Sequence, residues 1–123
     1  MKLLLINPNT TQAMTDAIAK AARAVAAPGT EIVAVQPSFG PVSIESHYDE
    51  TFAAAGVAEQ VRLAAAWRPD AVVIACFGDP GLEAAREATD APVLGIACGL
   101  QAGDAKTGEI GRASCRERVS FLV

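Results

Sequence analysis

The segment Ala71-Val72-Val73-Ile74-Ala75-Cys76-Phe77-Gly78-Asp79-Pro80-Gly81-Leu82 decides the fold. Five apolar residues run straight into a cysteine, then into a Gly/Asp/Pro turn, then into a helix-like segment. An apolar run of this length between turn residues reads as a buried strand with both faces covered. Cys76 then stands at the carboxyl end of that strand, where the loops of an open α/β sheet form the ligand crevice. It also lies just before a helix N-terminus, where free N–H groups and the helix dipole favour a thiolate. A free cysteine titrates near about 8.5, and such surroundings can lower this into or below the neutral range. Cys76 is therefore a candidate for proton transfer or nucleophilic attack. The same position also suits a small core hydrophobe, because free cysteines are mostly buried.

Working outward, Lys2-Leu3-Leu4-Leu5-Ile6 is a second buried-strand run, ended by Asn7-Pro8-Asn9-Thr10-Thr11. Asn9 or Thr10 can cap the helix that follows, from about Thr11 to Ala27. Met14, Ile18, Ala22 and Val25 share one of its faces, and Pro28-Gly29 stops it. Glu31–Val35 is a short β-branched strand. The loop Gln36–Tyr48 is long for such a unit, and its prolines and aromatics suggest packed order. Asp49 or Thr51 can cap a helix to about Trp67, with Ala54, Val57, Val61 and Ala64 as its apolar stripe. After the central strand come a short helix, Gly81–Thr89, and a fourth strand, Pro92–Ile96.

Strands and helices alternate, which argues for an α/β fold with a parallel sheet and helices on both faces. Right-handed crossovers leave few topologies, and a flavodoxin-like strand order of 2-1-3-4 fits best. In that order the ends of strands one and three are neighbours. Asn7–Thr11 and Cys76–Gly81 then face one crevice, with the Phe39–Ser46 loop beside it. The Cys76–Gly81 turn lacks the G-x-G-x-x-G pattern and its ribose-binding acid, so nucleotide binding is discounted.

The composition agrees with one domain: 123 residues, 51% hydrophobic but only 5% aromatic, so small aliphatic side chains must build the core. A formal net charge of −4 argues against a nucleic-acid backbone as partner. No apolar run is long enough to span a membrane, and Asn7-Pro8-Asn9 interrupts any signal-like start, so a cytoplasmic protein is expected. Three cysteines at unrelated spacings suggest neither a disulfide framework nor a zinc site. The single histidine, His47, has no evident metal partner, so no metal is expected.

The pattern breaks after Ile96. Residues 98–108 carry too many glycines for a helix, and Glu109–Val119 has no apolar face. Those last eleven residues match the translated read-through of a common sequencing adapter. The expected organisation is an α/β domain over 1–97 and an atypical tail over 98–123 that is not native sequence. The rival reading is a basic, partly disordered terminus.

Four stretches carry a resemblance. They are Ile6–Thr11 with Met14-Thr15; Gly40–Glu45 with Asp49-Glu50; Asp70–Leu82; and Ala91–Ala97. Together they resemble the hydantoin racemase branch of the Asp/Glu racemase superfamily, over about residues 1–97. The resemblance implies a cofactor-independent racemase of 5-substituted hydantoins, or of allantoin-type or amino-acid substrates. Family enzymes have two similar α/β domains with the active site between them, and each domain supplies one cysteine. One thiolate removes the proton from the stereocentre and the other thiol returns a proton to the opposite face. Carried over, Cys76 matches the first catalytic cysteine. Asn9, the Ser43-Ile44 pair and the Phe77-Gly78 backbone match positions lining the pocket. Ser43 also reads as a turn hydroxyl and Ile44 as loop packing, while Asp79 reads as the cap of the following helix.

The resemblance also implies a second domain and a second cysteine. Cys98 is a poor substitute, since the family more often has an acidic or small residue after the fourth strand. The chain alone is expected to be inactive and to expose the surface that meets the second domain; the full-length form is expected to be a homo-oligomer. Two other readings stand beside this one. One is another isomerase or a decarboxylase of the superfamily. The other is a non-catalytic flavodoxin-like domain that binds a small acid or a partner protein, with Cys76 as unreactive core.

Overall fold

The computed structural model describes residues 1–97; the expected tail, with Cys98 and Cys115, lies outside the described residues. Strands β1 (Lys2–Ile6), β2 (Glu31–Val35), β3 (Ala71–Ile74) and β4 (Val93–Gly95) form one parallel sheet in the order β2-β1-β3-β4. This is the order expected from the alternation of strand and helix. Leu3 pairs with Ile32 and Ala71, and Ile6 with Val35 and Ile74, so the carboxyl ends of β1 and β3 lie side by side.

The strand period of two divides the apolar residues between two faces. Leu4, Ile6, Val72, Ile74 and Val93 form one face, buried under Val57 and Val61 of α2 (His47–Leu63) and Ala85 of α3 (Leu82–Glu87). Each aliphatic side chain fully buried there contributes about 1.5–3 kcal/mol, which is why these positions cannot be polar. On the other face, α1 (Gln12–Val25) packs against β1 and β2. Helices therefore cover both faces, as expected, but β3 is not buried on both. Val72 and Ile74 are buried while Ala71 and Val73 are only half-buried, because α1 lies over the β1–β2 half of its face.

Helix details differ from the sequence expectations in instructive ways. The inward face of α1 carries Thr15 and Ala19, with Ile18 and Ala22 half-buried. Met14 and Val25 are 48% and 86% exposed. The helix is rotated because the Thr15 hydroxyl accepts a hydrogen bond from the Asn7 side chain at 3.0 Å. Neither Asn9 nor Thr10 is its N-cap. Thr11 takes that place, its hydroxyl making no capping bond to the helix, and Asn9 Oδ1 accepts from the Thr11 N–H at 3.0 Å.

Helix α2 starts earlier than the expected caps Asp49 and Thr51. Ser46 caps it, its Oγ accepting from the Asp49 N–H at 3.1 Å, while Asp49 Oδ2 accepts from the Glu45 N–H at 3.0 Å. This reciprocal pair satisfies donors at the helix start, in the manner of a capping box. Val57 and Val61 face the core as expected, joined by Ala53 and Gly56, while Ala54 and Ala64 are half-buried. The helix ends at Leu63 and tightens into a 3-10 turn, Ala64–Trp67. Arg68 then turns left-handed at φ 54°, its N–H donating to the Ala65 carbonyl at 3.1 Å, and Pro69, which has no N–H, cannot continue the helix.

Gly56 marks a close approach between α2 and the loop leaving β2. A Cβ there would lie 2.7 and 2.8 Å from Pro37 Cγ and Cβ, and Pro37 is itself fully buried. Alanine in a helix interior is favoured over glycine by about 1 kcal/mol, but overpacking costs about 1–3 kcal/mol. Gly56→Ala is therefore expected to be net destabilising, read as a lower urea midpoint at unchanged slope. A raised midpoint would show that the loop yields freely.

Candidate active site at the carboxyl end of the sheet

Three connections meet at this end. Asn7 and Pro8 continue β1 into a buried turn, and Asn7 N–H donates to the Val35 carbonyl at 2.9 Å. The Asn7 side chain is 1% exposed. Its Nδ2 reaches Asn9 Oδ1 at 2.8 Å, Thr15 Oγ1 at 3.0 Å and the Thr11 carbonyl at 3.2 Å, and its Oδ1 accepts from the Asn9 N–H at 3.3 Å. A buried amide is tolerated in such a place only when its polar atoms are matched, and here they are. Asn9 is also buried, with its Nδ2 donating toward Met14 Sδ at 3.1 Å.

The loop after β2 is tied to the same turn, the packed order its composition suggested. The Pro41 carbonyl accepts from the Thr10 N–H at 3.0 Å and the Val42 carbonyl from Thr11 Oγ1 at 2.7 Å. These bonds fasten Pro41 and Val42, the residues just before Ser43 and Ile44, to the Thr10–Thr11 end of the turn; Ser43 is exposed and Ile44 half-buried.

The third connection carries Cys76. Ala75 extends the β3 pairing by donating its N–H to the Ile6 carbonyl at 2.9 Å. Cys76 is a half-buried free thiol, and its carbonyl accepts from the Asp79 N–H at 3.0 Å to close a tight turn. Phe77 and Gly78 lie exposed on that turn. Asn9 and the Cys76–Gly78 turn thus leave adjacent strands, and the Ser43–Ile44 loop is fastened to the first of them.

Two residues given no role of their own by the sequence belong to this end. Asn7 looked like a strand terminator, yet it organises the turn beside Cys76. The signal available was a polar residue set directly after an unbroken apolar strand. Glu50 reaches the Cys76 turn: a side chain at Gly78 would meet Glu50 Oε1 at 3.1 Å. Its Oε2 pairs with His47 Nδ1 at 3.0 Å on the exposed side of α2. Among the described residues no cluster of His, Cys, Asp and Glu could hold a metal ion, and no helix is long and apolar enough to cross a membrane.

One expected role is corrected. Asp79 does not cap α3. The N-cap of that helix is Gly81, at φ 75° and with no side-chain bond. Asp79 Oδ1 instead accepts from the Ala97 N–H at 3.2 Å, beyond the end of β4.

A family model described as Asp/Glu/hydantoin racemase matches residues 3–105. The chain belongs to that family. Among curated relatives, the hydantoin racemase of Pseudomonas sp. (strain NS671) is 57% identical over 97 residues, covering 79% of this chain and 39% of the relative. The hydantoin racemase of Paenarthrobacter aurescens is 51% identical over 98 residues, 79% of this chain and 42% of its own length. Among solved structures, allantoin racemase from Klebsiella pneumoniae superposes with a TM-score of 0.77 at 59% identity, covering 79% of this chain and 40% of that one. The chain spans about two-fifths of the length of the curated relatives it matches.

Proposed function

We propose that the chain is the first half of a cofactor-independent racemase, with residues 1–97 forming one wall of a two-walled site. The substrate class is a 5-substituted hydantoin or the closely related allantoin. The observation that carries this reading is Cys76, half-buried at the carboxyl end of a central strand, in a chain 57% identical to a hydantoin racemase.

The chemistry follows from the substrate. The stereocentre of a hydantoin lies beside a carbonyl, so losing its proton gives an enolate. Inversion needs a base on one face and an acid on the other. With Cys76 as base, the C–H bond breaks and an S–H bond forms while the electron pair moves onto the carbonyl oxygen. A second thiol, from the other half of the protein, then gives its proton to the opposite face. For the reverse direction the two thiols exchange roles.

Asn9 supports this assignment by its geometry. A thioether is a weak acceptor, so a substrate carbonyl would be a better partner for Asn9 Nδ2 than Met14 Sδ. The exposed Phe77-Gly78 backbone and the Ser43-Ile44 loop would close over the ring. In this reading the second proton-transfer group comes from the opposite wall, so residues 1–97 alone are expected to be inactive. The complete enzyme is a homo-oligomer in this reading.

The test begins by resequencing the gene past the codon for Leu100. The full product is then given one enantiomer of a 5-substituted hydantoin, and optical rotation is followed. The expected result is a frame that continues into a second domain with a new cysteine, and rotation that decays only when Cys76 is present. A frame that ends at Val123, or a Cys76→Ala variant as active as the parent, would overturn the two-thiol mechanism. A small-acid or partner-binding domain would then be the better reading.

A further inference from the structure

Asp79 sits in the turn that carries Cys76, and its backbone is left-handed, at φ 45°. A non-glycine residue pays for that conformation in steric strain, and such strain persists only where the surroundings hold it. What holds it is a contact across the sheet. The carboxylate lies directly against Gly95 of β4, and any Cβ at that position would collide with Asp79 Cγ, Oδ1 and Oδ2. Oδ1 accepts from the Ala97 N–H at 3.2 Å, just where the chain turns helical after β4. On its own side of the sheet, Asp79 N–H donates to the Cys76 carbonyl at 3.0 Å and the Asp79 carbonyl accepts from the Leu82 N–H at 3.2 Å.

We infer that Asp79 and Gly95 form a latch, in which the Asp79 side chain fastens the Cys76 turn to the end of β4 and so positions the Cys76 thiol. Asp79 is a positioning residue. It acts through the backbone turn that it shares with Cys76, and it makes no proton transfer of its own. Gly95 is its counterpart, since only a residue without a Cβ leaves room for the carboxylate. The functional meaning of the latch rests on the proposed role of Cys76, but its existence can be tested without activity.

The test uses Asp79→Gly, Asp79→Asn and Gly95→Ala in the whole chain. Glycine accepts a positive φ without strain, so Asp79→Gly removes the carboxylate while the turn keeps its preferred backbone. Asparagine tolerates the left-handed region and keeps a side-chain oxygen that can accept from Ala97. The readout is alkylation of Cys76 by iodoacetamide, followed by peptide mass across neutral to alkaline pH. Thermal midpoints identify variants that stay folded.

Displacing a reacting group by about 1 Å can change a rate by as much as about 100-fold, so a change of about fivefold or more in the Cys76 rate or a displaced pH profile is expected for Asp79→Gly. Asp79→Asn is expected to stay within about twofold of the parent on the same reasoning, because the bond to Ala97 survives. Gly95→Ala should behave as Asp79→Gly does, although its carboxylate is intact. A folded Asp79→Gly protein with the parent's Cys76 profile would overturn the latch, and so would an Asp79→Asn protein that behaves like the glycine variant. Failure of the racemase reading is separate: it would appear as unchanged rotation kinetics in Cys76→Ala, whatever the alkylation profiles show.

Discussion

Cys76→Ala in the full-length gene product is expected to abolish racemisation, with a fall in kcat of about 100-fold to 10,000-fold, the range that a positioned acid or base contributes. The effect should fall on kcat rather than KM, because the thiol acts on the reacting proton and adds little to substrate binding. A sharper result is expected in deuterated solvent. With Cys76 gone, the remaining thiol can still remove and return the proton on its own face. The variant should therefore exchange the stereocentre hydrogen of one enantiomer without inverting it, and leave the other enantiomer untouched. Optical rotation and the proton resonance of the stereocentre read the two events separately. Equal exchange of both enantiomers would mean that one group serves both faces, and the two-thiol scheme would fall.

Asn7→Ala is expected to cost about 2–4 kcal/mol of stability, since it removes one buried acceptor and a donor shared by three acceptors. Alanine cannot replace the bonds to Asn9 Oδ1, Thr15 Oγ1, the Thr11 carbonyl and the Asn9 N–H. The loss should appear as a lower urea midpoint with an unchanged slope. Asn7→Asp distinguishes the donor from mere shape. An aspartate there would turn a carboxylate toward Asn9 Oδ1 and the Thr11 carbonyl, both acceptors. Burial and these neighbours raise the folded pKa of the new carboxyl above its unfolded value of about 3.9. Between the two values the native state binds the extra proton, so stability falls as pH rises through that window. The variant should be more damaged than Asn7→Ala at neutral pH and should recover in acid. A variant as stable as the parent at neutral pH would mean that the Asn7 amide donor is not required.

Much of this end of the molecule could be read from local pattern. Leu3–Ile6 and Ala71–Ala75 are unbroken apolar runs, and the helices between them have clear stop signals in Pro28-Gly29 and Pro69. That alternation leaves the sheet order nearly forced, and with it the proximity of the Asn9 and Cys76 turns. The helix faces were less legible. Met14 and Val25 have the right spacing for a stripe, but a spacing cannot say that Thr15 must point inward to meet Asn7. The start of α2 was missed for a similar reason. Ser46, Asp49 and Thr51 are all competent caps, and the choice fell to the one whose partner could reach back, Asp49 to the Glu45 N–H.

What the sequence determined by itself was the element order, the parallel sheet and the place of Cys76 at a strand end, because each depends on residues within a few positions of one another. Only the tertiary structure decided the partners of Asp79, Gly56 and Gly95. Asp79 looked like a helix cap because Pro80-Gly81-Leu82 follow it. Its bond goes to Ala97, a residue brought close only when β4 pairs with β3. Gly56 and Gly95 looked like ordinary glycines until Pro37 and Asp79 were packed against them. A hydrogen-bond partner or a missing Cβ has meaning only with respect to what lies opposite, and what lies opposite is set by the folded sheet.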